Sequence, residues 1–300
     1  MEYNEAHMAT NTIPQEHLQS ILKSQKNEIT EYHIYTRLAQ LLPNEKNRRI
    51  LNKIAQDEKS HYDFWKTYTR RDVGPSRIKI FIYLLISRLL GFTFAVKLME
   101  KGEELAQVNY EQISEYVPHA KEIEKEEKKH ETSLLEMLDE ERLRYVGSMI
   151  LGVNDALVEL TGALAGFTLA LQNTKIIAMT GLITGIAASL SMAASEYLST
   201  KAEKHGKDPI KASLYTGSMY VCTVLVLISP YFIFANVFVA LASALILAMF
   251  IILFFTFYIS IAQDQPFKSR FLEMAGISLG VSTLTFIIGY LVRILLGISI

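Results

Sequence analysis

The residues best suited to chemistry are two Glu-x-x-His pairs, Glu58 with His61 and Glu127 with His130. On a helix, positions three apart share a face, so each pair aims a carboxylate and an imidazole the same way. Four-helix bundles that hold two iron or manganese ions use two such pairs, plus one Glu from each of the other two helices. Glu28 and Glu103 fit that remaining role, because each is followed seven residues later by a tyrosine, Tyr35 and Tyr110. Glu31 is an alternative to Glu28, and Glu100 and Glu104 are alternatives to Glu103. The order Glu28, Glu58/His61, Glu103, Glu127/His130 reads as a duplicated helix pair. Taken alone, the acids around the last pair, Glu126 among them, would read as a solvated helix face, and Tyr32, Tyr62 and Trp65 as packing. Four carboxylates and two imidazoles are hard, mixed donors that suit Fe or Mn over Cu(I) or structural Zn. Two divalent ions would neutralise the four acids, so the expected cofactor is a pair of Fe (or Mn) ions.

A second set of acids lies in the apolar half of the chain. Asp155 and Glu159 are four residues apart, as are Met192 and Glu196. If residue 146 opens a membrane span, Asp155 lies roughly 13 Å in and Glu159 roughly 20 Å in, at about 1.5 Å per residue. On the returning span, Met192 and Glu196 lie roughly 10 Å and 5 Å from the same side. Carboxylates inside a bilayer are costly and therefore point to a path for ions or protons.

These residues need two kinds of scaffold. The chain has 300 residues, half of them hydrophobic and a fifth charged, but 46 of its 61 charges fall before Tyr145. The polar part suits four helices at about 14–42, 45–69, 76–116 and 119–143, with turns at Pro43-Asn44 and Gly74-Pro75. From Tyr145 onward come five apolar runs, about 146–171, 176–199, 212–234, 237–261 and 271–296. Each is near the roughly 20 residues a membrane helix requires. The expectation is an all-α chain: a helical bundle over 1–143 and a five-span membrane domain over 144–300. A further apolar stretch, 78–96, is interrupted or flanked by Lys79, Arg88 and Lys97, and reads as a buried or membrane-facing helix of the polar domain. Gly162 with Gly166, Gly181 with Gly185, and Gly276 with Gly280 suit close helix packing.

Charge fixes the expected orientation. Arg142 and Arg144, then Lys201, Lys204, Lys207 and Lys211, then Lys268 and Arg270, all fall on the N-terminal side; among the loops between runs, Lys175 alone is opposite. The positive-inside rule puts the polar domain in the cytoplasm and the C-terminus outside. The polar N-terminus lacks the apolar stretch of a secretory signal, which fits a prokaryotic cell membrane. The net charge of −1 excludes an electrostatic partnership with nucleic acid, and the lone Cys222 excludes a disulfide framework or a CxxC iron centre.

Both halves resemble known families. The set Glu28, Glu58/His61, Glu103, Glu127/His130 resembles the rubrerythrin branch of the ferritin-like family, which implies a ferritin-like four-helix bundle. The stretches G152VNDALVELTGALAG166 and S191MAASEYLSTKAE203 resemble the vacuolar iron transporter family. Together they resemble a membrane-bound ferritin-type fusion. The resemblance implies export of Fe²⁺ or Mn²⁺ in exchange for protons by a homodimer, with Asp155 and Met192 lining the path. Two features depart from the family pattern: Ala156 stands where a glycine usually follows the Asp, and only about a dozen residues separate spans 2 and 3. On the cytosolic side the bundle is then expected to capture, oxidise or sense the metal. A competing expectation is a membrane-anchored ferroxidase or peroxide-reducing enzyme whose spans serve as an anchor.

Overall fold

A computed structural model describes residues 15–106, 117, 120–136, 144–203 and 207–295; the side chains of 16, 103–106, 124, 128, 131, 133, 135 and 136 fall outside that description. Every regular element among the described residues is a helix. The chain divides into two compact units, Met1–Glu140 and Glu141–Ile300.

In the first unit, α1 (Gln15–Leu41) and α2 (Glu45–Thr69) form a long antiparallel pair. The turn between them ends at Asn44, whose side chain accepts from the backbone N–H groups of Lys46 and Asn47 and so caps α2. Helix α5 (Ala120–Glu136) packs on α2. Ile34, Tyr35, Leu38, Leu51, Ile54, Val96 and Leu134 form one apolar core, and Ile21, Trp65, Val117 and Ile123 form a second.

The single helix expected over 76–116 is broken. Helix α3 (Arg77–Leu90) stops at Gly91, whose φ of 104° is open to glycine and strained for other residues, and α4 (Phe92–Ala106) starts anew. The apolar stretch 78–96 therefore splits in fate. Phe94, Ala95, Val96 and Met99 are buried in α4, while α3 buries only Ile80 fully. Residues 107–116 and 137–143, where two of the expected helices would end, lie outside the described residues.

In the second unit, α6 (Val146–Leu171), α7 (Thr174–Ala202), α8 (Pro209–Ile233), α9 (Val237–Ala262) and α10 (Phe267–Leu295) are each long and apolar enough to cross a membrane. They coincide closely with the five apolar runs. Asn173, Asp208 and Asn236 each accept two backbone N–H bonds and cap the helices that follow them. Helix α6 is the hub, packing on all four others. Its small residues permit this: a Cβ on Gly152 would lie 2.2 Å from the Thr216 carbonyl oxygen of α8. On the other side Gly166 meets Gly289 of α10 almost backbone to backbone. Gly276 and Gly280 face open space instead, so close packing does not account for that pair within one copy of the chain.

Candidate metal centre

Helix α2 presents Glu58 and His61 from successive turns, and α5 presents Glu127 and His130 in the same way. Glu28 enters from α1. All five are buried, Glu58 to 1% exposure. One oxygen or nitrogen from each of Glu28, Glu58, His61 and Glu127 falls within 4.8 Å of the others, close enough to share an ion. His61 Nδ1 lies 3.1 Å from Glu127 Oε1, 3.7 Å from Glu58 Oε2 and 3.9 Å from Glu28 Oε2. His130 Nδ1 lies 3.3 Å from Glu58 Oε1 and 3.7 Å from Glu127 Oε2, and the two imidazole rings are 6.0 Å apart. The two Glu-x-x-His pairs thus face each other with their ring nitrogens and carboxylates interleaved.

Among the described residues, three buried atoms of this cluster have no hydrogen-bond partner: Glu58 Oε2, His61 Nδ1 and His130 Nδ1. A buried polar atom without a partner costs about 1–3 kcal/mol, so a native structure seldom leaves three together without a ligand. All three face the cluster, and all are good ligand atoms for a hard or borderline metal ion. The group could hold a metal ion.

The outer nitrogens are fixed from behind. His61 Nε2 lies 3.0 Å from Glu126 Oε2, and His130 Nε2 lies 3.1 Å from Asp57 Oδ2. Each of these acids immediately precedes the Glu of the opposite pair. A carboxylate that accepts from Nε2–H holds the tautomer with Nδ1 free to ligate. Sequence reasoning missed this role, although an acid directly before each Glu-x-x-His was a visible signal. It also treated Trp65 as packing; Trp65 does pack, and its Nε1–H donates to Glu28 Oε1 at 3.1 Å.

Tyr35 donates to Glu100 Oε1, at 2.8 Å. Glu103 lies on the same helix as Glu100, with its side chain outside the described residues, and Tyr110 lies outside them altogether. Glu31 also feels the charges of Glu58 and Glu127 and stands beside the cluster.

The buried charges of the cluster shift one another's titration. Burial, reinforced by Glu58 and Glu127, raises the Glu28 carboxyl well above the ordinary range. Burial also raises Glu100 to about 7, against the opposing bond from Tyr35. For Glu58, burial works upward but is outweighed by the neighbouring imidazoles of His130 and His61, which bring it down to about 2. Burial works downward on His61 and His130, yet the carboxylates of Glu127 and Glu58 close beside them hold them up, at about 11 and about 10.

In the membrane unit, Asp155 and Glu159 sit one turn apart on α6. Glu159 Oε2 accepts from the buried Tyr220 hydroxyl of α8 at 2.7 Å. Glu196 on α7 accepts from Ser148 of α6 at 2.5 Å. Met192 packs, half-buried, against the apolar core. Tyr220 and Ser148 were not foreseen, because their bonds join helices distant in sequence.

Residues 146–207 match the VIT family. The match takes in α6 and α7, and with them Asp155, Glu159, Met192 and Glu196. No curated protein matches the chain. A VIT match together with five helices able to cross a bilayer suggests an integral membrane protein that transports a metal ion.

Proposed function

We propose that the protein exports Fe²⁺ or Mn²⁺ from the cytosol in exchange for protons, and that residues 1–143 form a ferritin-like, rubrerythrin-type bundle that serves this export. The observation that carries the reading is the VIT match over the two helices that hold Asp155, Glu159, Met192 and Glu196. The cation enters past Glu196 and meets Met192 and Asp155. Glu159, next along the helix, exchanges a proton as the cation passes, and Tyr220 orients its carboxylate. Glu159 is exposed on α6. A carboxylate facing acyl chains is costly, so a second copy covering this face, in a homodimer, accounts for it. The bundle faces the cytoplasm, by the distribution of Lys and Arg.

In the bundle, Glu28, Glu58, His61, Glu127 and His130, with a Glu of α4, would hold a pair of Fe or Mn ions. Bound there, such ions supply redox chemistry; the protein holds them in a dry, preorganised cage and presents captured metal to the membrane unit. The same cage supports a second reading, a membrane-anchored ferroxidase or peroxide-reducing enzyme.

Reconstituted vesicles with an imposed pH gradient distinguish the two. Metal uptake that depends on the gradient and is lost in Asp155→Ala supports export. Absent flux beside metal-dependent peroxide turnover, lost in Glu58→Ala/Glu127→Ala, replaces it with the enzyme.

A further inference from the structure

Helix α3 has a sequence, RIKIFIYLLISRLL, with three cations and no acid. Its inner face is accounted for. Ile80 is buried, and Tyr83 and Leu84 pack against the core built by Ile34, Leu38 and Val96. Its outer face is not. Ile78 is 75% exposed, Phe81 66%, Ile82 44% and Leu85 44%. These four fall at i, i+3, i+4 and i+7, so they form one continuous stripe along the helix. Single exposed apolar residues are ordinary on a protein surface, whereas a two-turn stripe of large ones marks an interaction face.

Length and charge identify the occupant. Fourteen residues at about 1.5 Å each give a helix of roughly 21 Å, too short for the roughly 30 Å of hydrocarbon. Arg77, Lys79 and Arg88 are exposed at its two ends and flank. A second copy docking here would set cations against cations with no acid on either helix to answer them. Anionic lipid headgroups answer both the charge and the apolar stripe. The bilayer is also supplied by the chain itself, since five spans follow in the same polypeptide. That tether gives the helix a high effective concentration at the lipid surface.

We propose that α3 is an in-plane membrane helix: it lies in the headgroup layer, with Ile78, Phe81, Ile82 and Leu85 against acyl chains and Arg77 and Arg88 at lipid phosphates. The bundle is then held to the bilayer by a contact of its own, besides the covalent link to the spans. The inference needs only that the chain is a membrane protein, not that it exports metal.

The test uses the full chain in nanodiscs of phosphatidylcholine with phosphatidylglycerol, in a Cys222→Ser background that removes the one native cysteine. Nitroxide labels are placed through Phe81→Cys or Leu85→Cys, and collisions with oxygen (lipid-soluble) and a nickel chelate (water-soluble) are compared. A label through Phe250→Cys, exposed on span α9, reports insertion of the spans; one through Lys53→Cys on α2 reports a water-facing site. The expected result is a lipid-like ratio at 81 and 85, as at 250 and unlike 53, which falls when Arg77→Glu/Arg88→Glu is added. Ratios at 81 and 85 that match 53 while 250 remains lipid-like overturn the proposal. Broadening between labels of two copies, without a rise in oxygen collisions, overturns it in favour of a dimer contact. Unchanged helical circular dichroism in each labelled protein shows that the fold is intact.

Discussion

His130 of α5 and Asp57 of α2 meet at 3.1 Å, Nε2 to Oδ2, on the outer side of a ring whose Nδ1 turns into the cluster of buried carboxylates. His61 and Glu126 repeat the arrangement across the bundle at 3.0 Å. The acid that precedes each Glu-x-x-His pair therefore orients the imidazole of the other pair.

Asp57→Asn should weaken Fe²⁺ or Mn²⁺ binding by roughly 10–100-fold, the usual cost of losing a carboxylate behind a ligating histidine. Glu126→Gln should cost less, because Glu126 is the more exposed of the two, 54% against 37%. Competition titration against a chelator of known affinity measures both.

Metal binding should release protons. His61 and His130 hold theirs up to about 11 and about 10 in the metal-free bundle, and an imidazole must be neutral to ligate. Affinity should therefore rise with pH between 6 and 9, approaching a tenfold gain per unit for each proton displaced. Calorimetry in two buffers of different ionisation enthalpy counts those protons. For the metal-free fold the sign is opposite. Both folded values lie above the ordinary 6.5, so their stabilisation is complete below that pH and is lost as pH climbs through about 10 to 11.

Tyr220→Phe removes the hydroxyl that donates to Glu159 Oε2. A hydrogen bond to a charged group contributes about 1.5 kcal/mol or more, so metal flux should fall roughly tenfold while the fold persists. Asp155→Ala should abolish flux. Initial rates of uptake into vesicles, at matched protein content, separate the two outcomes.

Gly152→Ala puts a methyl 2.2 Å from the Thr216 carbonyl oxygen, and α6 must move from α8 to admit it. The expected cost is about 1–3 kcal/mol, read as a lower unfolding temperature in detergent. Gly276→Ala meets no atom within 4 Å and should leave that temperature unchanged or slightly raised.

Much of this protein follows from spacing alone. Glu58 with His61, and Glu127 with His130, share faces because the helical period is 3.6 residues, whatever surrounds the helix. The five spans follow from run length for a similar reason: a bilayer has a fixed thickness. What lies opposite each face is a different matter, because it depends on contacts between residues far apart in the chain. Packing decided that Tyr35 meets Glu100, that Trp65 reaches Glu28, and that Tyr220 reaches Glu159. Packing also decided that α3 buries one side and exposes the other. Gly91 was visible in the sequence as a single glycine, but only the positive φ that the tertiary fold imposes there turned it into the end of a helix.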